Sequence, residues 1–157
     1  MTDMMVKLYE LPELAPELAR QRNTGVDIRR ALPGEMGIIT EWVSERFNAM
    51  WVSECALTLS SHPCSCFIAV HDGALVGFAC YDASCKGFFG PTGVAEDYRG
   101  RGIGKALLLA CLHDMLAQGY GYAIIGWIGP AEFYRKAVGA VEIANSTPGI
   151  YRGLLKR

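Results

Sequence analysis

Gly93-Val94-Ala95-Glu96-Asp97-Tyr98-Arg99-Gly100-Arg101-Gly102-Ile103-Gly104-Lys105 places three glycines at alternate positions, with two arginines and a lysine, between two apolar runs. Glycine tolerates positive φ, so backbone N–H groups in such a turn can converge on an anion. A helix starting near Gly104 adds its positive dipole end at the same point. Strand, glycine-rich turn and helix N-terminus together predict a phosphate cradle. It is not a P-loop, because Ala106 follows Gly104-Lys105 where Ser or Thr is required and Arg99 occupies the first glycine position. The dinucleotide fingerprint fails as well, since the third glycine comes one residue early.

Working outward, the segment 104–118 puts Leu108, Cys111, Leu112 and Met115 on one helical face, with Gly119 placed to cap it. Tyr122–Ile128 is the most apolar strand pattern and is expected to be central. A short helix over 131–137 and closing strands at 141–144 and 150–154 follow. Upstream, 87–94, 74–81 and 66–70 read as strands, the last two joined by an Asp72-Gly73 hairpin turn. Before them come helices at 33–47 and 51–59 and a strand over 26–32. Residues 1–25 read as an N-terminal extension ahead of one domain, 26–157. The order β-α-α-β-β-β-α-β-α-β-β predicts a mixed α/β fold, with a mostly antiparallel central sheet flanked by helices.

Composition agrees with one folded domain. Of 157 residues, 51% are hydrophobic and 20% charged, which excludes a disordered chain. Sixteen acids against fifteen Lys and Arg leave a net charge of −1, so there is no electrostatic footprint for nucleic acid. The longest purely apolar stretch is Ala106–Leu112, too short for a membrane span. Met1–Lys7 lacks the pattern of a signal peptide. None of the six cysteines forms Cys-x-x-Cys, and Cys64-Ser65-Cys66 is too close for an ordinary zinc pair. The thiols are expected to be reduced, buried and metal-free, in a cytoplasmic protein.

Arg99-x-x-Gly102-x-Gly104 resembles the Arg/Gln-x-x-Gly-x-Gly/Ala motif of the GNAT superfamily of N-acetyltransferases, and Glu132-Phe-Tyr-Arg-Lys-Ala-Val-Gly-Ala140 resembles its second signature. The element order is also that superfamily's, and the longer runs around 87–94 and 125–134 are similar to single-domain prokaryotic members. The resemblance implies acetyl-CoA as co-substrate and no metal. It implies pyrophosphate binding by Arg99, Gly100, Arg101, Gly102, Ile103, Gly104 and Lys105, with Phe133 also on the cofactor side. It further implies that Val94 and Ala95 hydrogen-bond the pantetheine and polarise the acetyl carbonyl. Tyr134 matches the tyrosine read as general acid toward the departing thiolate. Where many members carry an Asn before the last helix, this chain has Gly126-Trp127-Ile128-Gly129-Pro130.

The implied reaction is acetyl transfer to a primary amine of a small molecule, by direct attack in a ternary complex. An amino sugar is the candidate acceptor by analogy. Glu54 and Asp82 are candidate bases, and Trp51, Phe89 and Trp127 candidate pocket walls. A non-catalytic acyl-CoA sensor and a protein N-acetyltransferase are the rival readings. The apolar stretch 140–155 offers an edge on which a homodimer could pair.

Overall fold

The computed structural model describes residues 1–156. Seven strands form one sheet: β1 (Asp3–Lys7), β2 (Val26–Arg30), β3 (Cys66–His71), β4 (Ala74–Tyr81), β5 (Phe88–Val94), β6 (Tyr122–Ile125) and β7 (Val141–Ile143). Their spatial order is β2-β3-β4-β5-β6-β1-β7. Every pairing is antiparallel except β5–β6, where Phe88 faces Ile124 and Phe89 faces Ile125. The helices are α1 (Ala15–Asn23), α2 (Met36–Arg46), α3 (Ala49–Leu59), α4 (Ile103–Ala117) and α5 (Ala131–Val138).

Local chemistry accounts for most boundaries. Asp72 and Gly73 both take positive φ, 49° and 76°, which matches the strand twist and sets the β3–β4 hairpin. The Asn48 side chain accepts from the Trp51 N–H at 3.0 Å and starts α3 two residues earlier than the apolar pattern alone places it. Gly119 at φ 97° ends the α4 segment.

Side chains alternate across the sheet and divide the core in two. Cys66, Ile68, Phe78 and Cys80 face α2 and α3 and meet Trp42, Val43 and Leu59. Ala69, Ala79 and Tyr81 face α4, α5 and the N-terminal segment. Nearly every side chain of α4 from Ile103 to Leu112 is buried, so it is a central helix covered on all sides. Truncating one of its leucines, such as Leu107, to alanine costs about 2–5 kcal/mol.

Two expectations are corrected here. Residues 1–25 are not an appendage: β1 lies between β6 and β7, with Met4 and Val6 fully buried, and α1 packs on β2 and α4. The alternating Met4 and Val6 are too few for the pattern to read as a strand without its neighbours. The closing strand over 150–154 is absent; residues 149–151 form a 3-10 turn, with Gly149 at φ 60° and Gly153 at φ 79° breaking extension. Among the described residues, no helix is long and apolar enough to cross a membrane.

Candidate active site

The glycine-rich turn is built for backbone recognition. Gly100 and Gly102 sit at φ 77° and 82°, where a side chain is strained, and a Cβ on Gly102 would stand 3.1 Å from Gln21 Nε2. The first intrahelical bond of α4 runs from the Ala106 N–H to the Gly102 carbonyl at 3.1 Å. The N–H groups of Ile103, Gly104 and Lys105 precede it and face outward from the helix start. That donor set, with the helix dipole, fits a pyrophosphate. The arginines are less free than their motif suggests. Arg99 Nε donates to the Val94 carbonyl at 3.2 Å, and Arg101 lies over the Tyr98 ring and donates to the Asp97 carbonyl.

The N-terminal helix braces this turn, a role that the sequence reading missed. Gln21 Nε2 donates to the Arg101 carbonyl at 2.8 Å, and Lys105 pairs with Glu17 at 3.3 Å. Burial alone would raise the Glu17 carboxyl, but its ion pairs with Arg20 and Lys105 prevail and hold it below its ordinary value.

β5 and β6 part beyond the Phe89–Ile125 pair, and a cleft of about 410 Å³ opens between them. Trp51, Phe89 and Trp127 line it, together with Glu54 and Tyr134. Asn48, Ser84, Thr92 and Tyr151 also line it and were not foreseen. Ser84 donates to Glu54 Oε1 at 2.5 Å, fixing one carboxylate oxygen. Tyr134 is 7% exposed, and its hydroxyl has no protein hydrogen-bond partner among the described residues. Burial pushes its pKa up to about 12, so the phenol stays protonated across the physiological range. Phe133 packs edge-on to it, ring centroids 5.1 Å apart, and is itself 37% exposed on the outer side of α5.

Asp82 does not line the cleft. Its two oxygens accept from the Gly87 N–H at 2.7 Å and from the Tyr120 hydroxyl at 2.6 Å, closing the loop between β4 and β5. That hydrogen bond pushes Tyr120 up to about 12. Ala95 also differs from expectation, since its N–H is already spent on the Val76 carbonyl at 2.8 Å. It has no donor left to polarise an acetyl carbonyl.

A Cβ on Gly126 would lie 3.0 Å from the Tyr151 hydroxyl and 3.1 Å from Phe88, so a side chain there requires those rings to give way by a few tenths of an ångström. Tyr151 stacks on Trp127 at 4.4 Å and 20°, and the C-terminal turn becomes one wall of the cleft. Trp127 holds φ 51° with its N–H donating to Asp3 Oδ1 at 3.0 Å, so β1 also shapes this wall.

The family model for the acetyltransferase (GNAT) family matches residues 35–140, which take in the glycine-rich turn, both strands of the cleft and α5. The GCN5-related glucosamine N-acetyltransferase region of a fungal multi-domain GH3 β-N-acetylglucosaminidase aligns with a TM-score of 0.73 at 15% identity, over 90% of this chain and 19% of that one. A GCN5-related N-acetyltransferase from Sphaerobacter thermophilus aligns at 0.64 and 25% identity, over 90% of this chain and 48% of that one. A Drosophila protein aligns at 0.62 and 14% identity, over 90% and 47%. The chain thus spans less than half the length of these three. No curated protein matches it.

Proposed function

Because the chain belongs to the acetyltransferase (GNAT) family, we propose that it moves the acetyl group of acetyl-CoA to the primary amine of a small molecule, by direct attack with both substrates bound. The observation that carries this reading is the meeting of one carboxylate, Glu54, and one protonated phenol, Tyr134, in the cleft that opens between β5 and β6. β5 runs from that cleft straight to the glycine-rich turn.

Acetyl-CoA supplies the activated thioester. The N–H groups of Ile103, Gly104 and Lys105, with Gly100 and Gly102 allowing the turn, hold the pyrophosphate. Glu54, oriented by Ser84, attracts the ammonium form of the acceptor and takes its proton, directly or through water. Asp82 has no part in this, since its carboxylate closes a loop. Tyr134 keeps a proton at its hydroxyl and offers it to the departing sulfur. With a pKa near 12 against about 8.5 for a thiol, complete transfer of that proton is uphill. Its value therefore lies in a hydrogen bond that strengthens as charge develops on sulfur.

The aromatic walls Trp51, Trp127 and Tyr151 suit an acceptor with a ring face, and an amino sugar fits that description. The test is product formation from acetyl-CoA with a panel of amines: hexosamines, aryl-alkylamines, polyamines, amino acids and peptide N-termini.

A further inference from the structure

We propose that Cys55, Cys66 and Cys80 form a trithiolate site for a soft divalent ion of the zinc and cadmium type, which fastens α3 to the sheet. The three come from different elements, α3, β3 and β4, and each is fully buried. Their sulfurs all lie within 4.8 Å of one another. Some point is then within 4.8 Å divided by √3, about 2.8 Å, of all three sulfurs, and a zinc–sulfur bond is about 2.3 Å. Contraction by half an ångström or less completes the site.

The register makes the arrangement specific. Cys66 and Cys80 are directly opposite on β3 and β4, and Cys55 caps the pair from the helix above. The sequence-adjacent Cys64 is not part of the group, which is why spacing along the chain did not disclose it. Thr58, one turn after Cys55 and fully buried, donates its hydroxyl to the Cys55 carbonyl at 2.8 Å and places its oxygen 3.3 Å from Cys80 Sγ. Binding displaces three protons, one from each thiol, and leaves a complex of net charge −1.

None of the three cysteines lines the cleft, so the site is separate from the transferase centre. Its consequence reaches that centre through α3, which carries Trp51 one turn before Cys55 and Glu54 next to it. The ion would set where the acceptor-binding helix rests. Sealed burial also means that loading accompanies folding.

The experiment uses full-length protein with the exposed thiol removed (Cys85→Ser), made in zinc-supplemented medium and purified without oxygen or chelator. Native mass spectrometry is expected to show one zinc per chain. Protein refolded with cadmium chloride is expected to show sulfur-to-cadmium charge-transfer absorption, with three sulfur neighbours by X-ray absorption. Cys80→Ala, checked for folding by circular dichroism, is expected to retain about tenfold less metal or lower still. Folded, reduced protein that carries neither zinc nor cadmium overturns the proposal. So does metal retained equally by Cys80→Ala, or a Cys66–Cys80 disulfide, two hydrogens lighter, in place of the ion. Because metal content is read directly, failure here leaves acetyl transfer untouched, and failure of acetyl transfer leaves the metal count standing.

Discussion

Ser84 donates its hydroxyl to Glu54 Oε1 at 2.5 Å across the cleft, joining the loop after β4 to α3. A carboxylate held at one oxygen presents the other to an incoming ammonium. Glu54→Gln keeps the shape and removes the charge, and is expected to lower kcat/KM by about 10²-fold or more, with acetyl-CoA affinity unchanged. Ser84→Ala should cost about tenfold, because it disturbs orientation and leaves the base in place. Steady-state rates by mass spectrometry, with calorimetric CoA titration, check both.

Tyr134 gives a prediction with a sign. Burial raises it to about 12, so the phenol is protonated at every pH where the enzyme is studied. Rates should rise with pH as the amine loses its proton and show no falling limb from Tyr134 below about pH 11. Tyr134→Phe is expected to lower kcat by about 10²-fold and leave the affinity for CoA intact. An unfolded chain ionises its tyrosines near 10, whereas folded Tyr134 and Tyr120 hold theirs to about 12. Their contribution to stability is full below pH 10 and is lost as pH rises toward 12. Melting temperatures at pH 9 and pH 11 should differ accordingly.

At Gly102, φ is 82° and a Cβ would approach Gln21 Nε2 to 3.1 Å. Gly102→Trp is expected to abolish CoA binding in a protein that still folds. Gln21→Leu removes the donor to the Arg101 carbonyl and should cost about 1–3 kcal/mol of stability, with weaker CoA binding as the turn loosens. Thermal melts with and without CoA separate the two effects.

Gly126→Ala tests the acceptor wall alone. The added methyl meets the Tyr151 hydroxyl at 3.0 Å and Phe88 at 3.1 Å, so Tyr151 must shift by a few tenths of an ångström within its stack on Trp127. The expected outcome is a raised KM for the amine with no change in KM for acetyl-CoA. Kinetics with each substrate varied in turn will show it.

Much of this arrangement was legible along the chain. The spacing of Arg99, Gly102 and Gly104 fixed the turn and its helix, and Asp72-Gly73 fixed the hairpin. Trp51, Glu54, Phe89, Trp127 and Tyr134 do share one cleft. What stayed hidden depends on partners distant in sequence. β1 is a strand because β6 and β7 flank it, and five residues show little periodicity of their own. Gln21 and Glu17 look like ordinary helix polarity until α1 is seen against the turn. Asp82 looked free until Tyr120, 38 residues away, took its second oxygen. Tyr151 read as strand, and only its stack on Trp127 shows the turn that it builds.

The central claim is transfer rather than binding alone, and it is tested by incubating the protein with acetyl-CoA and each amine of the panel, then quantifying free CoA and N-acetylated product together by mass spectrometry. Thiol-reactive dyes are unsuitable, because the exposed Cys85 would react with them. The account predicts equal amounts of CoA and acetylated amine for one acceptor class, with both lost in Glu54→Gln. Acetyl-CoA bound tightly, with no CoA released in the presence of any amine, would contradict it.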